Sequence, residues 1–181
     1  MEREKEKEHD KHQSEIAVPA ELPILAVIET VVFPGSFVPL MIGRGPSLKL
    51  VDHCMAGDRI LGLVTQKSSG LENPGPADLF PVGTLGGIVR MLRFPDGTLR
   101  ILAQGQARFR IVEYTQQEPF LKAKVEMLHD IVEPSQELNA LQANLVNEFR
   151  KLAAIIPYLP EELQVMVMNV SDPGKIGRAH V

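Results

Sequence analysis

The hydrophobic period of this 181-residue chain changes near Pro134, and that change limits the folds open to it. Before Pro134, apolar residues come in short runs and two-residue alternations, punctuated by Pro and Gly, as strands and tight turns require. After it, Leu138, Leu141, Leu145, Phe149, Leu152 and Ile156 recur every three or four residues, one stripe along a helix of several turns. The pattern predicts an α+β protein: a β-rich body over residues 18–130 with one short helix, then a helical segment over 131–176. Pro157 and Pro160 interrupt the helical pattern. Leu163–Val170 then reads as a second helix, apolar on most sides and in need of a partner surface. The helical segment therefore reads as the truncated start of a bundle.

Residues 1–17 have nothing to bury. Met1–Glu15 carries six acids and four bases, which predicts a solvated, disordered tail. His9 and His12 are read there as solvated side chains, since a structural metal site needs about four ligands. At the other end, residues 177–181 follow no structural pattern and read as vector-derived.

Within the β-rich body the most informative stretch is Val31–Arg44. Val31–Phe33 favours a strand, Pro34-Gly35 suits a type II turn, and Phe37–Ile42 resumes as a strand. Val38, Leu40 and Ile42 share one face of it, and Phe37 and Met41 share the other. Pro39 lacks an N–H, so this strand belongs at a sheet edge or carries a bulge. Leu22–Ile28 is a buried first strand. Gly45-Pro46-Ser47 opens a helix with Leu48, Leu50, Val51, Cys54 and Met55 toward the core and Gly57 as its cap. Ile60–Val64 is a third strand, and Lys67–Asp78 is a Ser-, Gly- and Pro-rich loop. Pro95-Asp96-Gly97 closes a hairpin between Ile88–Phe94 and Thr98–Ala103. Arg108–Val112 and Phe120–Met127 alternate as half-solvated strands.

Composition narrows the function classes. The chain is 44% hydrophobic and 23% charged, with a net charge of −4, which disfavours nucleic acid or an anionic membrane as partner. A single cysteine, Cys54, rules out an internal disulfide and suits a reducing, cytoplasmic setting. No catalytic, cofactor or metal set is found. There is no phosphate loop, and Ser47 and Lys49 point apart on their helix, as do His53 and Cys54. Cys54 reads as a core residue. Gly83, Gly86 and Gly87 lie in a strand region and read as a bulge or bend rather than a dinucleotide loop.

Several stretches occur in one order that is similar to the N-terminal domain of the ATP-dependent Lon proteases. They are Val31-Val32-Phe33-Pro34-Gly35 with Pro39-Leu40 and Gly43-Arg44, the Pro-Gly-rich loop running into Val82-Gly83-Thr84, the Asp96-Gly97 hairpin, and Gly105 followed by Arg108-Phe109-Arg110-Ile111. The resemblance spans Leu22 to Val170. It implies a PUA-like β-pseudobarrel followed by helices, and a non-catalytic unit of an ATP-dependent serine endopeptidase. That unit recognises unfolded or damaged proteins and supports hexamer assembly. The sequence departs from the family where its Pro-Leu-Arg is replaced by Ala26-Val27-Ile28, and where Gly45-Pro46 replaces charged residues.

Unfolded polypeptide is held by apolar groups that water can reach, so Phe37, Met41, Met91 and Phe94 are the polypeptide-contact candidates. Two other readings compete with this one. One is a stand-alone adaptor or small-ligand binder. The other is an RNA-binding PUA-like domain using Arg108, Arg110, Lys122 and Lys124.

Overall fold

The computed structural model describes residues 19, 21–130 and 135–156. The charged tail, the helix expected from Pro160 and the final five residues lie outside the described residues. Six strands form one sheet: β1 (Glu21–Val27), β2 (Phe37–Ile42), β3 (Ile60–Thr65), β4 (Val82–Arg93), β5 (Leu99–Gln116) and β6 (Lys122–Leu128). Helix α1 (Gly45–Ala56) follows β2, and α2 (Gln136–Ile155) follows β6.

The sheet closes on itself. The order is β2-β5-β4-β3-β1-β6, and β6 returns to pair with β5, so β1, β3, β4, β5 and β6 form a ring. Only the β1–β3 pairing is parallel. The long β5 makes closure possible, because two strands share one of its sides in succession. Its first half pairs with β2 from Leu99 to Gln104, and its second half pairs with β6 from Arg108 to Gln116. Two register shifts in the β5–β6 ladder supply local twist of the kind closure needs. The sequence pattern had separated Arg108–Val112 from the hairpin strand, whereas Gly105 continues the strand rather than ending it.

Two clusters fill the interior. One gathers Leu25, Val27, Ile42, Ile88, Leu99 and Ile101 with Leu50, Val51 and Cys54 of α1. The other gathers Leu22, Ile24, Val64, Leu79, Leu85 and Ala123 around Phe109, which is fully buried. Phe109 fits because its neighbours lack side chains. A Cβ on Gly62 or on Gly83 would come within 2.8 Å of its Cζ. Burying such a ring is worth about 3 kcal/mol.

The segment between β1 and β2 differs from expectation. Val31–Phe33 is not a strand, because the carbonyl groups of Val32 and Phe33, and of Thr30 before them, find side chains instead of a ladder. Thr65 Oγ1 donates to Thr30 O at 2.6 Å, Thr84 Oγ1 to Val32 O at 2.5 Å, and Ser36 Oγ to Phe33 O at 2.6 Å. The turn itself forms as the sequence suggests. Ser36 N donates to Phe33 O at 3.1 Å, with Gly35 at φ +86°. Gly105 must be glycine for another reason: a Cβ there would overlap the Phe33 carbonyl oxygen.

Helix α1 starts at Gly45 with Pro46 in its first turn and ends at Gly57, whose N–H donates to Cys54 O at 3.1 Å. Gly57 is not left-handed, with φ at −114°. The left-handed residue is Arg59, φ +63°, and its N–H shares the Cys54 carbonyl at 3.0 Å. Helix α2 is capped by Ser135, whose Oγ accepts from Leu138 N at 3.0 Å. Of its apolar stripe only Phe149 is buried, while Leu141, Leu145 and Leu152 stay exposed among the described residues.

Candidate polypeptide-contact surface

Three strands, β2, β5 and β4, run side by side as β2-β5-β4, and their residues alternate between two faces. Inward go Val38, Leu40 and Ile42 of β2, Leu99, Ile101 and Ala103 of β5, and Ile88 of β4. Outward go the residues between them. The ladders put Phe37 beside Gln104 and Gly87, Pro39 beside Leu102 and Arg90, and Met41 beside Arg100 and Leu92. Phe37, Met41 and Leu92 are each more than half exposed.

Arg100 lies at the centre of this outer face. Its Nε donates to Met41 Sδ at 3.4 Å, and its guanidinium sits 5.9 Å from the centre of the Phe94 ring. Neither contact neutralises its charge. Arg100 and Arg90 have no carboxylate within ion-pair distance among the described residues, whereas Arg93, on the opposite face, pairs with Asp52 of α1 at 2.6 Å. The outer face is therefore apolar and cationic.

Of the four contact candidates, Phe37, Met41 and Phe94 come together on or beside this face. Met91 does not, for it packs against the core from the inner face. The reason is a bulge. The β4–β5 ladder slips between Ile88 and Arg90, so Val89 is extra and the parity of the strand reverses after it. Arg90 and Leu92 consequently turn outward in place of Met91. A polar Arg90 two residues after a buried Ile88 was the only signal for it in the sequence.

Two clefts are formed by the described residues, and the first borders β2. The first, about 250 Å³, separates β1 from β2 and is lined by Ala26, Val27 and Ile28 on one side and Pro39, Leu40 and Met41 on the other. The second, about 230 Å³, lies between α1, the Glu72–Gly75 loop and Gln117–Leu121. Arg44 lines both. Its Nη1 donates to Gln66 Oε1 at 3.1 Å, while Gln66 Nε2 donates to Ser68 O at 2.5 Å. Gln66 is buried and fixes the start of the loop. The sequence reading passed over it, although a polar residue ending the apolar run of β3 is a recognisable signal.

Cys54 is buried, and burial pushes its thiol up to about 12, with Asp58 adding in the same direction. Such a thiol is a poor nucleophile at neutral pH. His53 instead faces the Phe120 ring at 5.2 Å. Among the described residues no three His, Cys, Asp or Glu side chains gather as a metal site. In the basic set, Arg108 pairs with Asp130 at 2.5 Å and Lys124 with Glu113 at 3.1 Å. Lys122 lies over the Phe120 ring at 5.5 Å. The two ion pairs neutralise Arg108 and Lys124, whereas Lys122 and Arg110 have no carboxylate within ion-pair distance among the described residues. No described helix is long and apolar enough to cross a membrane.

A family model described as the ATP-dependent protease La (LON) substrate-binding domain matches residues 21–177. The chain belongs to that family. It is 44% identical over 159 residues to a Lon protease of Dictyoglomus thermophilum, a match covering 88% of this chain and 20% of that protein. It is 37% identical over 168 residues to a Lon protease of Trichlorobacter lovleyi, covering 91% and 20%. The chain thus spans about one fifth of the length of these curated relatives. Among solved structures it resembles the N-terminal domain of a Mycobacterium avium complex Lon protease, with TM-score 0.62 at 21% identity, covering 86% of this chain and 78% of that one. It also resembles a Lon N-terminal domain protein from Xanthomonas campestris, with TM-score 0.56 at 20% identity, covering 88% and 96%. These likenesses agree with the ring-like sheet described above.

Proposed function

We propose that this Lon N-terminal domain is the substrate-recognising part of an ATP-dependent serine endopeptidase in the cytoplasm. It holds unfolded or damaged polypeptide through the outer face of β2, β5 and β4, and supports assembly of the parent hexamer. In this reading residues 18–130 form the PUA-like unit, and residues 131–176 begin a helical bundle that leads into the rest of the protease. The chain itself carries no chemistry. The ATPase and peptidase centres belong to the parts of the relatives that it does not span.

One observation carries the reading: exposed Phe37, Met41 and Leu92 share a face with Arg90 and Arg100, and the two cations lack carboxylate partners among the described residues. Water-exposed apolar groups in one patch mark an interaction site, and Met adapts to varied partners. A patch this small must also offset the entropy of association, so single-site dissociation constants should be micromolar or weaker, on the order of 10 µM. Avidity in the protease would then come from several copies acting together. Titration of fluorescently labelled, unfolded casein against the 181-residue chain tests the reading. Saturable binding, with folded globular proteins ignored, is the expected result. No binding at a hundred micromolar, about tenfold above the expected constant, would refute recognition by this domain alone.

A further inference from the structure

Beside the closed ring of strands β2 keeps a free edge, and the gap between it and β1 has a definite chemistry. Strand β1 pairs with β6 only from Glu21 to Pro23 and then departs from it, while β2 pairs with β5 alone. Between the free sides of β1 and β2 lies the 250 Å³ cleft.

Which main-chain groups face the cleft follows from the ladders. Gly105 N donates to Ser36 O at 2.9 Å, so the Ser36 carbonyl, and by alternation the main-chain groups of Val38, Leu40 and Ile42, point toward β5. Those of Phe37, Pro39 and Met41 point away from it. Pro39 thus occupies an outward position, where its missing N–H costs the ladder nothing. The free edge offers two donors, on Phe37 and Met41, and three carbonyl acceptors. Across the cleft, Ile24 N donates to Leu121 O at 2.8 Å, away from β3, and alternation turns Ala26 the same way, where β6 no longer pairs.

We propose that an extended, apolar stretch of polypeptide carrying a carboxylate adds to β2 as a strand in this cleft. The proposal rests on the reading of this domain as a holder of unfolded polypeptide, and it names where and how the chain is held. Main-chain pairing with the β2 edge supplies affinity independent of sequence, as a protease acting on many substrates needs. Alternate side chains of the added strand lie on the outer face beside Phe37 and Met41. The others enter the cleft beside Ala26 and Ile28. Charge selects the acidic residue: Arg100 reaches over Met41 to the β2 edge, has no carboxylate partner among the described residues, and is followed across the sheet by Arg90.

The test uses the whole chain and changes the peptide first. A short synthetic peptide of Val and Phe with one central Glu is labelled, and its binding is read by fluorescence anisotropy. Single N-methyl groups are then placed on successive peptide bonds. Strand addition predicts a period of two: methylation of residues facing β2 weakens binding about tenfold each, and methylation of the alternate residues changes it little. Arg100→Glu should weaken the Glu peptide and favour its Lys counterpart. Binding that is indifferent to the position of the methyl group would overturn strand addition, even with substrate recognition intact. Failure of the parent peptide to bind would overturn it too. Unfolded casein in the same assay then shows whether recognition itself fails with it.

Discussion

The two faces of the β2-β5-β4 sheet are written by alternate letters of the same three stretches of sequence, yet they do opposite things. Ile42, Leu99, Ile101 and Ile88 face inward and meet Leu50, Val51 and Cys54 of α1. Phe37, Met41 and Leu92 face outward into solvent, with Arg100 beside Met41 and Leu92. Hydrophobicity alone does not separate the two sets. What separates them is whether a second layer covers the face. Burial converts an apolar side chain into stability, and exposure leaves it free to bind something else.

The largest effect expected from breaking this contrast is on the inner face. Ile101→Ala should cost about 3 kcal/mol, because the site is fully buried and packed on both sides. Urea denaturation would show it, and a cost below about 1 kcal/mol would mean the inner face is loosely packed. Next comes Gly105→Ala, where the new methyl group meets the Phe33 carbonyl. We expect about 2 kcal/mol there, by displacement of the segment that crosses over β5. Gly97→Val is expected to cost about 1–2 kcal/mol, since Gly97 holds φ +84° in the hairpin turn and a β-branched residue strains there. An unchanged melting temperature would show that the turn adapts.

These effects were unequally legible in the sequence. The hairpin, the Pro34-Gly35 turn and the edge position of β2 follow from local chemistry at Pro39, Asp96 and Gly97, and all three are present. Asp96 also makes an Asx contact, accepting from Thr98 N at 2.9 Å. Met91 and Leu92 were not legible, because one extra residue at Val89 reverses the face of everything after it, and a lone polar Arg90 does not by itself announce a bulge. Nor was the fate of Val31–Phe33. Its β-forming side chains suit a strand, but Thr84, distant in sequence, and Ser36 take the Val32 and Phe33 carbonyls that a neighbouring strand would use, and Thr65 takes that of the preceding Thr30. The candidate surface was thus readable as residue types and readable only in part as a place.

A smaller effect concerns Cys54, on the covered side. Its raised thiol pKa means that the folded chain keeps a proton which the unfolded chain loses. The stabilising contribution is full below about pH 9 and fades as pH rises toward about 12. Tyr114, also pushed up by burial to about 12, contributes with the same sign. Stability measured from pH 8 to 11 should therefore decline, and the decline should be shallower in Cys54→Ala. Identical slopes would show that the thiol is not held neutral by burial.

The most direct measurement compares binding and stability on the uncovered face in one protein. Met41→Asp with Leu92→Asp places two carboxylates among the exposed apolar groups while touching nothing buried. The account predicts a melting temperature close to that of the unaltered chain, because exposed substitutions usually change stability by less than about 0.5 kcal/mol. It predicts at the same time a loss of affinity for labelled unfolded casein of tenfold or more, about 1.4 kcal/mol. Equal affinity in a variant that remains folded would contradict the central claim, and the polypeptide-holding surface would then lie elsewhere on the domain.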